Sequence, residues 1–279
     1  MTIKLIDYFW YHAVNDQLKL DHVIKTLTDQ SQHHLLHAIE ADIIYSESKC
    51  QAVMGHPPLV DSDLSLSSFL QQVKLNNFQP PESNLDSGLN ILKLDFKSMK
   101  ALTSSMNDVK AYLETLPPQL HQYVWLNADI LPGPGGKEDD KMEPEFDPYE
   151  FMDLLSKSSW ANATTLSIGW TTSLHDIYAP YTCEMVDEML TLLAKYPRKN
   201  ITFPIRASSF QGSWKALRRL YDNNVDRDKN WTLCLWWSLT SDKYKLTNEE
   251  MNLTHAVLEH DEHSTLQNRT YYDVVNFPP

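Results

Sequence analysis

The sequence predicts a single α/β domain, a (β/α)8 TIM-type barrel covering residues 1–279. Three observations predict it. Eight short apolar, β-branched or aromatic runs recur along the chain, segments with helical periodicity lie between them, and 279 residues suit one barrel. An open doubly wound sheet is the competing architecture, but no G-x-G-x-x-G follows the first run. Hydrophobic residues make up 42% of the chain, with eight tryptophans, so a sizeable core is available.

The first run, FWYHAVN (9–15), carries His12 and then Asn15 at its end. The second, HAIEADII (37–44), holds Glu40 and Asp42 two residues apart. Strand side chains alternate between faces, so both carboxylates point one way and Ile39, Ala41 and Ile43 the other. A Pro-containing stretch, MGHPPLVDSD (54–63), follows and contains His56. The third run, NILKLDF (90–96), puts Lys93 and Asp95 on one face, ahead of a helix over 99–116. The fourth, YVWLNADI (123–130), offers Asn127 and Asp129. Next comes LPGPGGKEDDKMEPEFD (131–147), with three of the seven glycines, which reads as an active-site loop. Its GPGG lacks the Lys-Ser/Thr of a P-loop. Asp147-Pro148 reads as a cap and first helical position for a helix over 147–160.

The fifth run, TTLSIGW (164–170), ends in Trp170 and precedes a helix over 183–196. The sixth, ITFPIRA (201–207), puts Arg206 opposite Phe203 and Ile205, with a helix over 213–224 behind it. The seventh, WTLCLWW (231–237), ends with Trp236 and Trp237, and the eighth is YYDVVNF (271–277). Almost nothing follows the eighth, so the closing helix of an ideal barrel is not expected.

Active sites of such barrels gather at the C-terminal strand ends. Glu40, Asp42 and Asp95 come from adjacent strands and converge there. Three carboxylates without cysteine suit a hard divalent cation, Mg²⁺ first and Ca²⁺ second. The alternative is a metal-free network in which Lys93 and Arg206 neutralise the acids. His12 and His56 are placed as an acid–base pair, since imidazole titrates near neutral pH. Lys93 and Arg206 can hold an anionic group. Asn15, Asn127 and Asp129 complete a polar lining for a substrate, and Trp170 and Trp237 supply an apolar wall.

The formal net charge of −13 argues against a nucleic-acid backbone partner. Cys50, Cys183 and Cys234 are too widely spaced for a disulfide framework or zinc-finger pattern. The N-terminus makes a poor signal peptide, and no run reaches the roughly 18 apolar residues of a membrane helix. These features lead to the expectation of a soluble, intracellular, cytoplasmic protein.

A His ending strand one, E-x-D on strand two, a His in the next loop and an acid on strand three resemble the phospholipase-C-like phosphodiesterase barrels. The resemblance is closer to the menorin family, through HAVN, IEADI, MGHPP, LKLDFK, VWLNADILPGPGG and FPIRASSFQGSW. The chain looks like a short, soluble vertebrate member of that family. The wider group implies His12 and His56 as acid–base pair, Glu40, Asp42 and Asp95 as Mg²⁺ ligands, Lys93 at the phosphate and Trp237 along the cleft. The implied activity is hydrolysis or cyclisation of a phospholipid-derived or other small phosphodiester. The alternative is a phosphate- or ligand-binding barrel without turnover; a sugar-processing barrel ranks third. Departures are present: Ala13-Val14 follow the first His where Arg-Gly is usual, and Pro57 follows the second where Asp is usual.

Overall fold

The computed structural model describes residues 9–29, 36–75, 90–135, 144–173, 175–222, 230–237, 248–259 and 269–273. The strands are β1 (Trp10–Tyr11), β2 (Ala38–Ser46), β3 (Gln51–Met54), β4 (Ile91–Phe96), β5 (Val124–Leu131), β6 (Thr165–Trp170), β7 (Asn200–Arg206), β8 (Asn230–Trp236) and β9 (Thr270–Asp273). The helices are α1 (Gln17–Thr28), α2 (Leu66–Leu75), α3 (Met99–Leu113), α4 (Pro148–Ser156), α5 (Cys183–Lys195), α6 (Phe210–Leu217), α7 (Arg219–Asp222) and α8 (Asn248–Glu259).

Eight strands pair in parallel in the order β1-β2-β4-β5-β6-β7-β8-β9, forming a nearly closed barrel, and β3 pairs antiparallel with β2. Each of the eight predicted runs overlaps one of these parallel strands. No backbone ladder joins β1 to β9 among the described residues.

Local chemistry explains the helix starts. Asp16, Ser98, Asp147 and Thr182 cap α1, α3, α4 and α5, each side chain accepting a first-turn backbone N–H. Pro148 follows its cap at the first helical position. The helix expected over 213–224 instead begins at Phe210 and is broken near Arg218, giving α6 and α7. The stretch after β2 turns straight back as β3, with Cys50 in the left-handed region at φ 50°. Four residues are too few for their periodicity to announce a strand, so that hairpin was not expected. The loop glycines are only partly described, since residues 136–143 lie outside the described set. So do residues 274–279, where the expectation about a closing helix falls.

Strand alternation creates two interiors. Outward residues, including Ile39, Ala41, Ile43, Leu94, Phe96, Leu126, Ile168, Phe203 and Leu235, form the main core against the helices. Inside the barrel, Trp10, Ala38, Ile91, Trp125 and Cys234 pack with Tyr271 near the strand starts. Trp125 stands 5.6 Å from Trp10 and edge-on to Tyr271 at 4.9 Å, centroid to centroid. This aromatic floor closes the N-terminal end, and the interior above it is polar. The β6–β7 ladder holds only Leu166–Ile201 and Ser167–Thr202. Pro204, two residues on, has no N–H to continue it. No described helix is long and apolar enough to cross a membrane.

Candidate functional site

The alternation of β2 settles the first pair. Glu40 and Asp42 both face the barrel interior and are 1% and 4% exposed. Register places Glu40 beside Lys93 and Asp42 beside Asp95, with Asn127 next to Asp95 on the other side. One ligand oxygen from each of Glu40, Asp42 and Asp95 can be chosen so that all lie within 4.8 Å of one another.

The turn after β1 secures two of these acids. Ala13 adopts φ 56°, a left-handed conformation disfavoured for a residue with Cβ, and its N–H donates to Glu40 Oε2 at 2.8 Å. Asn15 donates through Nδ2 to Asp42 Oδ2 at 2.6 Å and accepts the Asp42 N–H at 2.8 Å. His12 Nδ1 lies 3.3 Å from Glu40 Oε2 and 3.2 Å from Asp273 Oδ1. Lys93 Nζ donates to the other Asp273 oxygen at 3.1 Å. Lys97 Nζ sits between two metal-set acids, 2.6 Å from Asp42 and 2.7 Å from Asp95.

The charges divide accordingly. Burial works against a charged His12, but Glu40 and Asp273 outweigh it and lift the imidazole to about 9. Burial, then the like charge of Asp42, raises Glu40 to about 7 against the pull of His12 and Lys93. Asp42 stays below the usual range because Lys97 and the Asn15 hydrogen bond overcome its burial. Asp273 falls to about 2, its burial outweighed by Lys93 and His12. Lys97 is raised well above its ordinary value by Asp95 and Asp42 despite burial. Burial and the nearby Asp95 raise Asp129 to about 7.

These groups surround a cavity of about 550 Å³ at the C-terminal mouth. The sequence-predicted residues His12, Asn15, Glu40, Asp42, His56, Lys93, Asp95, Asn127, Asp129 and Arg206 all line it. His56 belongs to the exposed loop after β3, its Nδ1 2.6 Å from the Pro57 carbonyl. The structure corrects two placements. Trp170 and Trp237 are buried in the core outside the barrel, and the tryptophan lining the cavity is Trp236. Trp170 lies one residue beyond inward-facing Gly169, so alternation turns it outward. Trp236 is in register with Arg206, whose guanidinium lies 5.4 Å from its ring centre.

The metal-free network has different cations from those expected. Lys97 and His12 engage the metal-set acids, Lys93 pairs with Asp273, and Arg206 donates to Ser173 O and Thr172 Oγ1, each at 2.5 Å. Lys97 and Asp273 were not singled out from the sequence. Both carried a signal: Lys97 continues the two-residue spacing of Lys93 and Asp95, and Asp273 is a lone acid in an apolar strand.

The three acids fit a hard divalent cation. They are oxygen donors on two adjacent strands, no sulfur lines the cavity among the described residues, and the Lys97 ammonium between two of them marks the spot as one that accepts positive charge.

The family model described as the Menorin N-terminal domain matches residues 4–276. Protein FAM151B of Homo sapiens is 30% identical over 232 residues, spanning 81% of this chain and 71% of that protein.

Proposed function

The chain belongs to the menorin family, and we propose that it is a metal-dependent phosphodiesterase acting on a small phosphodiester, phospholipid-derived ones included. One observation carries the reading: three carboxylates within 4.8 Å share a cavity with two histidines and with Lys97 and Arg206.

Glu40, Asp42 and Asp95 would hold the cation, Mg²⁺ in preference to Ca²⁺. Such an ion polarises phosphoryl oxygens and offsets charge that develops in the transition state. Lys97 and Arg206 bring further positive charge to a phosphate in the same cavity. His12, held protonated between Glu40 and Asp273, is the general acid for the leaving oxygen. His56 takes the proton of the attacking group, which is water or a neighbouring substrate hydroxyl; the second case releases a cyclic phosphate.

Calorimetry with Mg²⁺ and Ca²⁺ tests the metal set, comparing wild type with Glu40→Gln/Asp42→Asn. Binding that the double variant abolishes, followed by phosphodiester cleavage that His12→Ala removes, is the expected result. Cleavage that His12→Ala leaves untouched would refute the mechanism. A second reading is a ligand-binding barrel without turnover. It is supported by Lys97, whose ammonium already bridges Asp42 and Asp95. A diester that binds yet yields no product by mass spectrometry would favour it.

A further inference from the structure

We propose that the wall of the cavity formed by β5, β6 and β7 is a subsite for the alcohol portion of the phosphodiester. It takes an alcohol bearing free hydroxyl groups, with Asp129 as their hydrogen-bond partner. The inference rests on the phosphodiesterase reading and deepens it by naming the substrate class.

The first argument is the state of Asp129. Glu40 is engaged by the Ala13 N–H and His12, Asp42 by Asn15 and Lys97, and Asp95 by Lys97. Asp129 lines the same cavity, yet makes no hydrogen bond and no ion pair among the described residues. A desolvated carboxyl facing a cavity without a partner is a place where a ligand group belongs.

Space is the second argument. Asp129 is in register with Gly169, a glycine inside a strand, where the missing side chain weakens the element. A Cβ there would lie 3.0 Å from Asp129 Oδ1 and 2.6 Å from Pro204 Cγ. The glycine therefore keeps this corner open beside the carboxyl. A phosphate and one cation occupy only part of about 550 Å³, which leaves room for the rest of a diester.

The third argument concerns charge and decides the class. A cationic head group, such as a quaternary ammonium, is the obvious partner for a carboxylate beside tryptophan. Here Lys97, Lys93 and Arg206 already supply positive charge around Asp129, with Asp95 as the opposing negative neighbour, so a further cation has less to gain there. The Trp236 ring is already taken by the Arg206 guanidinium. A neutral hydroxyl meets neither obstacle. It both donates and accepts, so it pairs with the Asp129 carboxyl in either protonation state. Asn127 and Thr172 add polar side chains to the same wall.

³¹P NMR titration with Mg²⁺ present reports binding and any turnover separately. The probes are bis(glycerol) phosphate, dimethyl phosphate and the methyl ester of phosphocholine. Wild type is expected to bind the glycerol diester at least ten-fold more tightly than either other probe. Asp129→Ala should narrow that ratio to about two-fold, and Asp129→Asn, which keeps a polar partner, should fall between. Far-UV circular dichroism and unfolding midpoints establish that both variants are folded. Equal wild-type affinities, a ratio that Asp129→Ala leaves intact, or tightest binding of the choline ester would each overturn the subsite while leaving the phosphodiesterase reading in place. Failure of wild type to bind any of the three would overturn both.

Discussion

Asp273→Asn removes one charge from a pair shielded from water, and its cost follows from the geometry. Lys93 Nζ lies 3.1 Å from Asp273 Oδ2, with side chains 4% and 0% exposed. In the variant the ammonium stays, and its closest partner no longer carries a charge. Glu40 and Asp95 still act on it through space, but Glu40 is shared with His12 and Asp95 with Lys97. Breaking a buried pair from one side costs about 3–5 kcal/mol, because the remaining charge is desolvated without compensation. For 279 residues, an unfolding entropy of about 2.1 cal/mol/K per residue makes each kcal/mol move Tm by a little under ~2 °C, so a fall of roughly 5–9 °C is expected. Lys93→Met breaks the pair from the other side. The double variant removes both charges and should be less destabilised than the sum of the singles by about 2 kcal/mol or more. Urea unfolding at pH 7 without divalent ions, followed by far-UV circular dichroism, gives all four values. Additive losses, or an Asp273→Asn cost below about 1 kcal/mol, would refute the reasoning.

Other outcomes are expected from the same geometry. His12 is raised from 6.5 to about 9 by Glu40 and Asp273, against burial and Lys93. Its proton therefore stabilises the fold fully below pH 6.5, and this contribution of about 3 kcal/mol is lost as pH rises through 9. Urea unfolding from pH 6 to pH 10 should show that loss in wild type, and a His12→Gln curve of equal slope would disprove it. Lys97→Met leaves Asp42 and Asp95 without their shared counter-charge. The metal-free variant should melt lower than wild type and gain more from added Mg²⁺; an equal Mg²⁺ shift in both would count against a shared cation position. Gly169→Ala drives a methyl to within 2.6 Å of Pro204 and should cost about 1–3 kcal/mol in unfolding free energy, whereas a neutral effect would mean that Pro204 yields easily.

The barrel was legible because each of its strands presents apolar residues to the helices, and strand alternation places the polar residues between them. That same alternation made Glu40 and Asp42 readable as a pair. Where the strand ends, the guide fails. Lys97 lies one residue beyond β4, and its side chain reaches sideways to Asp42 on the neighbouring strand, a path that period two does not describe. Asp273 is within a strand, but its partners are 180 and 261 residues away, so nothing local marks what it meets. The tryptophans were decided by parity. Counting in twos from Thr232 through Cys234 reaches Trp236, whereas Trp237 follows the strand and enters the core.

The contact between His12 and Asp273 also has a consequence for the order of assembly. With no ladder from β1 to β9 among the described residues, this bond and the Lys93 pair reach from the last strand to the front of the chain. A nascent chain lacking β9 already holds Glu40, Asp42 and Asp95, so the acidic trio can gather early. His12 gains its second carboxylate only when β9 is in place. A molecule that has not yet docked β9 would thus hold the three acids together while the imidazole lacks half of its carboxylate clamp, so the two sides of the cavity assemble at different times.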